Sequence, residues 1–174
     1  MRILITFFIV VFFCSSNANS LNLIRDAEVE NFLNEISRIL TKDTELEKDN
    51  LNFYIDNQKY INAFVTPDKN FFFTTELLLK SKEVDDIAGV ISHEIGHIIG
   101  GHFQKRQMQM QKTTAISVLS SLLAVGAIAG GAVEAGSALL MGGQQLGNAK
   151  LLSFSRNQES LADQTAIRLL RKSG

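Results

Sequence analysis

The chain has 174 residues, with 17 basic and 18 acidic side chains and a formal net charge of −1. That length suffices for one domain with a real core. Near-neutral charge without a basic block argues against nucleic acid as a partner.

Residues 1–18 read as a secretory signal peptide. Arg2 is a minimal positive start, Ile3 to Phe13 is an apolar run with Thr6 as its one polar residue, and Ser16-Asn17-Ala18 offers small residues at cleavage spacing, with the cut after Ala18. The apolar run falls short of the roughly 20 residues that a membrane span needs; an uncleaved anchor is the alternative. Cys14 follows the bulky Phe13, which argues against lipidation. Cleavage removes this only cysteine, so the mature chain can form no disulfide.

Arg25 to Leu40 carries Val29, Phe32, Leu33, Ile36 and Leu40 at helical spacing. Leu51 to Ile55, Tyr60 to Val65 and Asn70 to Thr74 are short and rich in aromatic or β-branched residues, and are expected to be strands. Thr66-Pro67-Asp68-Lys69-Asn70 holds the only proline and joins the last two as a hairpin turn. Thr75 to Leu79 then starts a short helix.

Val84 to about Met110 is expected to be a long central helix, with Ile87, Val90, Ile91, Ile95 and Ile98 on one apolar face. Gly96, Gly100 and Gly101 each cost about 1 kcal/mol relative to alanine in a helix. They ask for a packing reason or mark a break near Gly100. Thr113 to Ala149 carries Glu134 as its only charge and is rich in Ala, Gly, Ser and Leu. Within it Thr113 to Val133 is long enough for a membrane span, but Gly126, Gly130 and Gly131 interrupt it, and Thr113, Thr114, Ser117, Ser120 and Ser121 weaken it. The favoured expectation is a helical hairpin that packs over the active site or touches a membrane surface. Leu151 to Arg171 resumes as an ordinary charged helix.

The central helix carries His93-Glu94-Ile95-Gly96-His97, and the chain's three histidines, with His102, lie within ten residues. This is the H-E-x-x-H pattern. Residues four apart on a helix differ by about 40° in direction and stand one turn above each other. His93 and His97 can therefore aim one nitrogen each at a single zinc ion, and Glu94 is placed to act as general base on water at that metal. A chance match on a surface helix is the alternative, weakened by the absence of histidine elsewhere.

A catalytic zinc takes three protein ligands and keeps one open position. His102 lies about 180° round an unbroken helix from His93 and would point away. Glu159 and Asp163, one turn apart on the last helix, are better placed: one could bind the metal while the other orients a ligand histidine. On spacing alone they could equally be a solvated helix face.

Ser155-Arg156-x-x-Glu159-x-x-Ala162-Asp163 after an H-E-x-x-H helix resembles the zinc metallopeptidase family that includes the CAAX prenyl protease and the HtpX-type heat-shock proteases. The likeness extends from Ile24 through Asn62-Ala63-Phe64-Val65 and Thr74-Thr75-Glu76-Leu77-Leu78 to Gly100-Gly101-His102. It returns at Ser153-Phe154.

The resemblance implies His93, His97 and Glu159 as ligands of one zinc ion per chain, Glu94 as catalytic base and Asp163 as the supporting aspartate. It implies Asn62, Ala63, Phe64 and Val65 as the strand on which an extended peptide docks. The group stabilising the oxyanion is left open among Arg156, His102, Tyr54 and Tyr60.

The expected fold is α+β, a mainly helical zincin-like domain over residues 19–174 with a small three-stranded sheet beside the H-E-x-x-H helix. The expected activity is a periplasmic zinc endopeptidase acting on misfolded or membrane-associated proteins. Outer-membrane proteins or their assembly machinery are the implied partners, with peripheral membrane contact. The alternative is a chaperone or assembly factor whose hydrolysis is secondary. Relatives continue beyond the position of Gly174, so the sequence is read as a truncated form or a fragment.

Overall fold

The computed structural model describes residues 21–174, so the signal-peptide reading of residues 1–18 lies outside the described residues. In chain order the elements are β1 (Leu23–Ile24), α1 (Ala27–Thr41), β2 (Asn52–Asp56), β3 (Ala63–Val65), β4 (Asn70–Thr74), α2 (Thr75–Lys80), α3 (Val84–Ile99), α4 (His102–Ala129) and α5 (Val133–Ser173). The class is α+β and mainly helical, as expected. The sheet has four strands rather than three, in the order β1-β2-β4-β3. The extra strand, β1, pairs two residues with Asp56 and Ile55 of β2. The Asn22 amide fixes it by donating to the buried Asp56 carboxylate at 2.9 Å. Two residues carry no readable alternation, so this strand exists only through its pairing.

Strands β2 and β4 run parallel, and β3 returns antiparallel on β4. Alternation sends Phe53, Val65, Phe71 and Phe73 inward, against Leu33, Ile36 and Leu40 of α1 and Ile87, Ile91 and Ile95 of α3. Phe53 and Phe71 stack at 4.9 Å within this core. On the opposite face Tyr54, Phe72 and Phe64 form a second ladder, at 5.2 and 4.8 Å. Such cross-strand aromatic pairs pin register. The expected turn at Thr66–Asn70 closes with Lys69 N–H donating to the Thr66 carbonyl, and Thr66 N–H to the Asn70 carbonyl, each at 2.9 Å.

Those bonds also fix which way β3 faces. Asn62 accepts from the Thr74 amide and Thr66 donates to Asn70, so alternate peptide groups bond β4. In between, Ala63 and Val65 turn their N–H and C=O groups outward, away from β4. Among the described residues, β3 is an edge strand.

The expectation of one helix from Val84 to about Met110 is corrected. Helix α3 ends at Ile99, and α4 begins at His102. Between them Gly101 sits at φ 59°, ψ 34°, a left-handed conformation that costs glycine little and other residues more. The amides of Gly100 and Gly101 close the end of α3 by donating to Gly96 and Ile98, each at 2.9 Å.

Helix α5 runs unbroken through the expected Leu151–Arg171 segment, and its second half crosses α3 at Gly96. A Cβ added at Gly96 would lie 2.7 Å from the Ala162 carbonyl oxygen and 2.9 Å from the Ala162 Cα. Glycine is needed there because backbone meets backbone. The first half of α5 pairs with α4 along a seam of glycines: Gly136 meets Ala124 and Ile128, Gly143 meets Ser120, and Gly147 meets Thr113. The large apolar side chains of this hairpin face outward, with Leu122, Val125 and Met141 all more than 60% exposed. By length and composition α4 is apolar enough to cross a membrane.

Replacing Gly96 by alanine forces the α3–α5 crossing apart. Overpacking of this kind costs about 1–3 kcal/mol, so Gly96→Ala is expected to lower the thermal midpoint of the metal-free chain in a calorimetric melt. An unchanged midpoint would show that the crossing yields at no cost.

Candidate metal centre

Three donor atoms from two helices converge at the α3–α5 crossing. On α3, the Nε2 atoms of His93 and His97 are 3.0 Å apart. From α5, an Oε2 of Glu159 lies 3.4 Å from His93 Nε2 and 3.6 Å from His97 Nε2. Tetrahedral donors placed about 2.0–2.1 Å from a zinc ion are roughly 3.3 Å from one another. The triangle therefore has the size that a zinc ion requires. Its chemistry, two imidazoles and one carboxylate, also suits zinc. The residues present fit the expected metal.

The far side of each histidine is occupied as well. His93 Nδ1 lies 2.9 Å from an Asp163 carboxylate oxygen. A carboxylate only accepts, so it holds the proton on Nδ1 and leaves the Nε2 lone pair facing the triangle. Behind His97, its Nδ1 is 2.9 Å from His102 Nδ1, with the rings edge to face at 4.9 Å. The expectation that His102 points away is overturned, because the helix on which it rested is broken at Gly101. His102 faces the centre from behind His97, and it lies outside the group of convergent donor atoms.

Burial lowers the pKa of His97, against an upward pull from Glu159, and so favours the neutral imidazole that a metal needs. Burial, helped by neighbouring His97, lowers that of His102 too. Glu94 stands next to His93 on α3, and its pKa is raised to about 7. Burial is the main cause; His93 and the backbone amide of Val65 oppose it, and Glu159 adds to it. The outward-facing edge of β3 thus lies beside the Glu94 carboxylate at Val65.

Of the expected peptide-docking residues, Ala63 and Val65 line the open edge, Asn62 bonds β4 at its start, and Phe64 stacks on the far face of the sheet. Among the oxyanion candidates, Tyr54 lines a separate polar cavity with Arg25 and Glu30. Tyr60 and Arg156 are exposed. A cavity of about 300 Å³ opens beside His97 and Glu159, walled by apolar Phe103, Met110, Leu151 and Phe154. Sequence reasoning missed the contact of His102 with His97 and the Val65 amide at Glu94. The glycine pair just before His102 was the signal for the first; the second depends on strand placement and left none.

Residues 24–174 match the family model described as peptidase family M48. The chain is 27% identical over 155 residues to a protein of Yersinia pestis named beta-barrel assembly-enhancing protease, an alignment covering 87% of this chain and 31% of the relative. The same figures describe its similarity to the beta-barrel assembly-enhancing protease of Escherichia coli strain K12. The chain spans about a third of the length of these relatives.

Proposed function

The chain belongs to peptidase family M48, and on that premise we propose that residues 19–174 form a zinc-dependent endopeptidase domain. It acts in the periplasm on misfolded or membrane-associated proteins, with outer-membrane proteins or their assembly machinery as partners. The observation that carries this reading is the triangle of His93, His97 and Glu159 with Glu94 beside it on the same helix.

A bound zinc ion supplies Lewis acidity, polarising the carbonyl under attack and acidifying water. The chain supplies the rest. Asp163 holds the His93 tautomer through the contact at Nδ1. Glu94, with a carboxyl pKa of about 7, accepts a proton from the attacking water on its carboxylate and passes it to the leaving amine nitrogen. The open edge of β3 offers the Ala63 N–H and C=O and the Val65 C=O to an extended substrate, in the manner of an added antiparallel strand. The apolar cavity beside His97 and Glu159 suits an aliphatic or aromatic substrate side chain. Such side chains are accessible in unfolded polypeptides and hidden in folded ones.

A second reading is an assembly factor whose hydrolysis is secondary. The outward-facing apolar surface of the α4–α5 hairpin favours it, since that surface can meet unfolded clients or lipid.

The purified chain is expected to bind one zinc ion, and Glu94→Gln to keep the metal while cleaving a peptide substrate about 10²–10⁴-fold more slowly. Unchanged cleavage by that variant would sink the enzymatic assignment. If Glu94→Gln restores a client-folding defect as well as the wild type does, the second reading prevails. Removing the far-side carboxylate in Asp163→Ala should weaken zinc binding by roughly tenfold to a hundredfold in a chelator competition; equal affinity would deny Asp163 its supporting role. Alkaline carbonate is expected to release the mature protein from membranes, as befits peripheral contact by the hairpin. Retention in the membrane pellet would instead identify a spanning segment.

A further inference from the structure

Three observations converge on His102. Its ring is buried, at 4% exposure, although it follows directly on a helix break. Its Nδ1 meets the Nδ1 of His97 at 2.9 Å. The space that the ring occupies exists because residue 100 is glycine: a Cβ there would collide with the His102 Nε2. Gly101, in its left-handed conformation, reverses the chain just before. Together the two glycines fold the first residue of α4 back over the last turns of α3.

We propose that His102 is a positioning residue that orients His97 for metal binding by accepting a hydrogen bond from its Nδ1–H. The proposal rests on the metal-centre reading above and adds a residue to it. Two imidazole nitrogens in contact share one proton, so one must donate and the other accept. If His97 turns its Nε2 lone pair toward the triangle, its proton sits on Nδ1, and His102 must present a bare Nδ1. The His102 proton is then on Nε2, the buried atom that has no hydrogen-bond partner among the described residues. Leaving a buried N–H unpaired carries a desolvation cost, which the hydrogen bond at Nδ1 offsets in part. The two ligand histidines are then held from behind by different chemistries, His93 by a carboxylate and His97 by a neutral imidazole. A neutral acceptor fixes the tautomer without adding a negative charge to the side of the centre where Glu159 already stands.

The test compares His102→Asn with His102→Leu in the purified chain, by zinc affinity in chelator competition. The two replacements are close in shape, and only asparagine keeps an acceptor near the Nδ1 position. The leucine variant should lose roughly tenfold to a hundredfold in zinc affinity, while the asparagine variant retains nearly all of it. Gly100→Ala, which displaces the imidazole while leaving His102 in the sequence, should weaken zinc binding in the same direction and decides the matter if the leucine variant fails to fold. The chain has only three histidines, so ring-nitrogen NMR of the zinc-loaded protein can read the His97 tautomer directly. It should show a proton on Nδ1 in the wild type and the asparagine variant. Equal affinities of the Asn and Leu variants, or a His97 proton on Nε2, would overturn the proposal. A wild-type chain that binds no zinc would overturn the metal-centre reading itself, and is distinguishable from a wild type that binds zinc with no dependence on residue 102.

Discussion

The backbone contact between Gly96 and Ala162 is the constraint on which the rest of the site depends. Gly96 lies between the two histidines of α3 and one residue before the second. Ala162 lies between Glu159 and Asp163 on α5. Because the crossing point falls inside both motifs, the distance between the helix axes sets the distance between donors. A side chain at position 96 would widen the crossing, and Glu159 would no longer reach both Nε2 atoms at 3.4 and 3.6 Å. Close packing of the two helices and assembly of the triangle are therefore one event. The core on the far side of α3, where Ile87, Ile91 and Ile95 meet the aromatic strands, holds the helix from behind and fixes the rotation that aims His93 and His97 at α5.

Much of this was legible in the residues. The i, i+4 pair of histidines and the i, i+4 pair of carboxylates are local patterns, and helical geometry alone converts each into a face. What spacing could not decide was that the two faces meet, because the contact joins positions some 70 residues apart; the family resemblance carried that step. The helix break was undecided for a different reason. The apolar face ends at Ile98, but the glycines alone did not say whether the helix stops with it, and nothing in a period records that one backbone torsion has changed sign. That single torsion at Gly101 moved His102 from the far side of an imagined helix to the back of His97. The two-residue strand β1 escaped because its hydrogen bonds come from a distant partner and its own side chains are exposed.

The electrostatics of the centre follow from the same arrangement. Glu94 sits in the angle between α3 and the edge of β3, where burial raises its pKa and the Val65 amide restrains the rise. The strand that would receive a substrate thus lies beside the carboxylate that would take the proton. Glu159 and Asp163, by contrast, are more than half exposed, on the open side of the crossing. The site is walled on the sheet side and open on the side of α5.

The hairpin of α4 and α5 reverses the usual distribution of an amphipathic helix pair. Its interior is a seam of Gly136, Gly143 and Gly147 against Ile128, Ser120 and Thr113, and much of its apolar bulk faces out. Helices joined in this way cohere by van der Waals contact between closely approaching backbones, and not by withdrawing large apolar groups from water. Their cohesion consequently depends less on surrounding water than that of a pair joined by large apolar side chains. The same two helices can keep their mutual geometry whether their outer faces meet water, acyl chains or another polypeptide, so the segment can change surroundings without being remodelled.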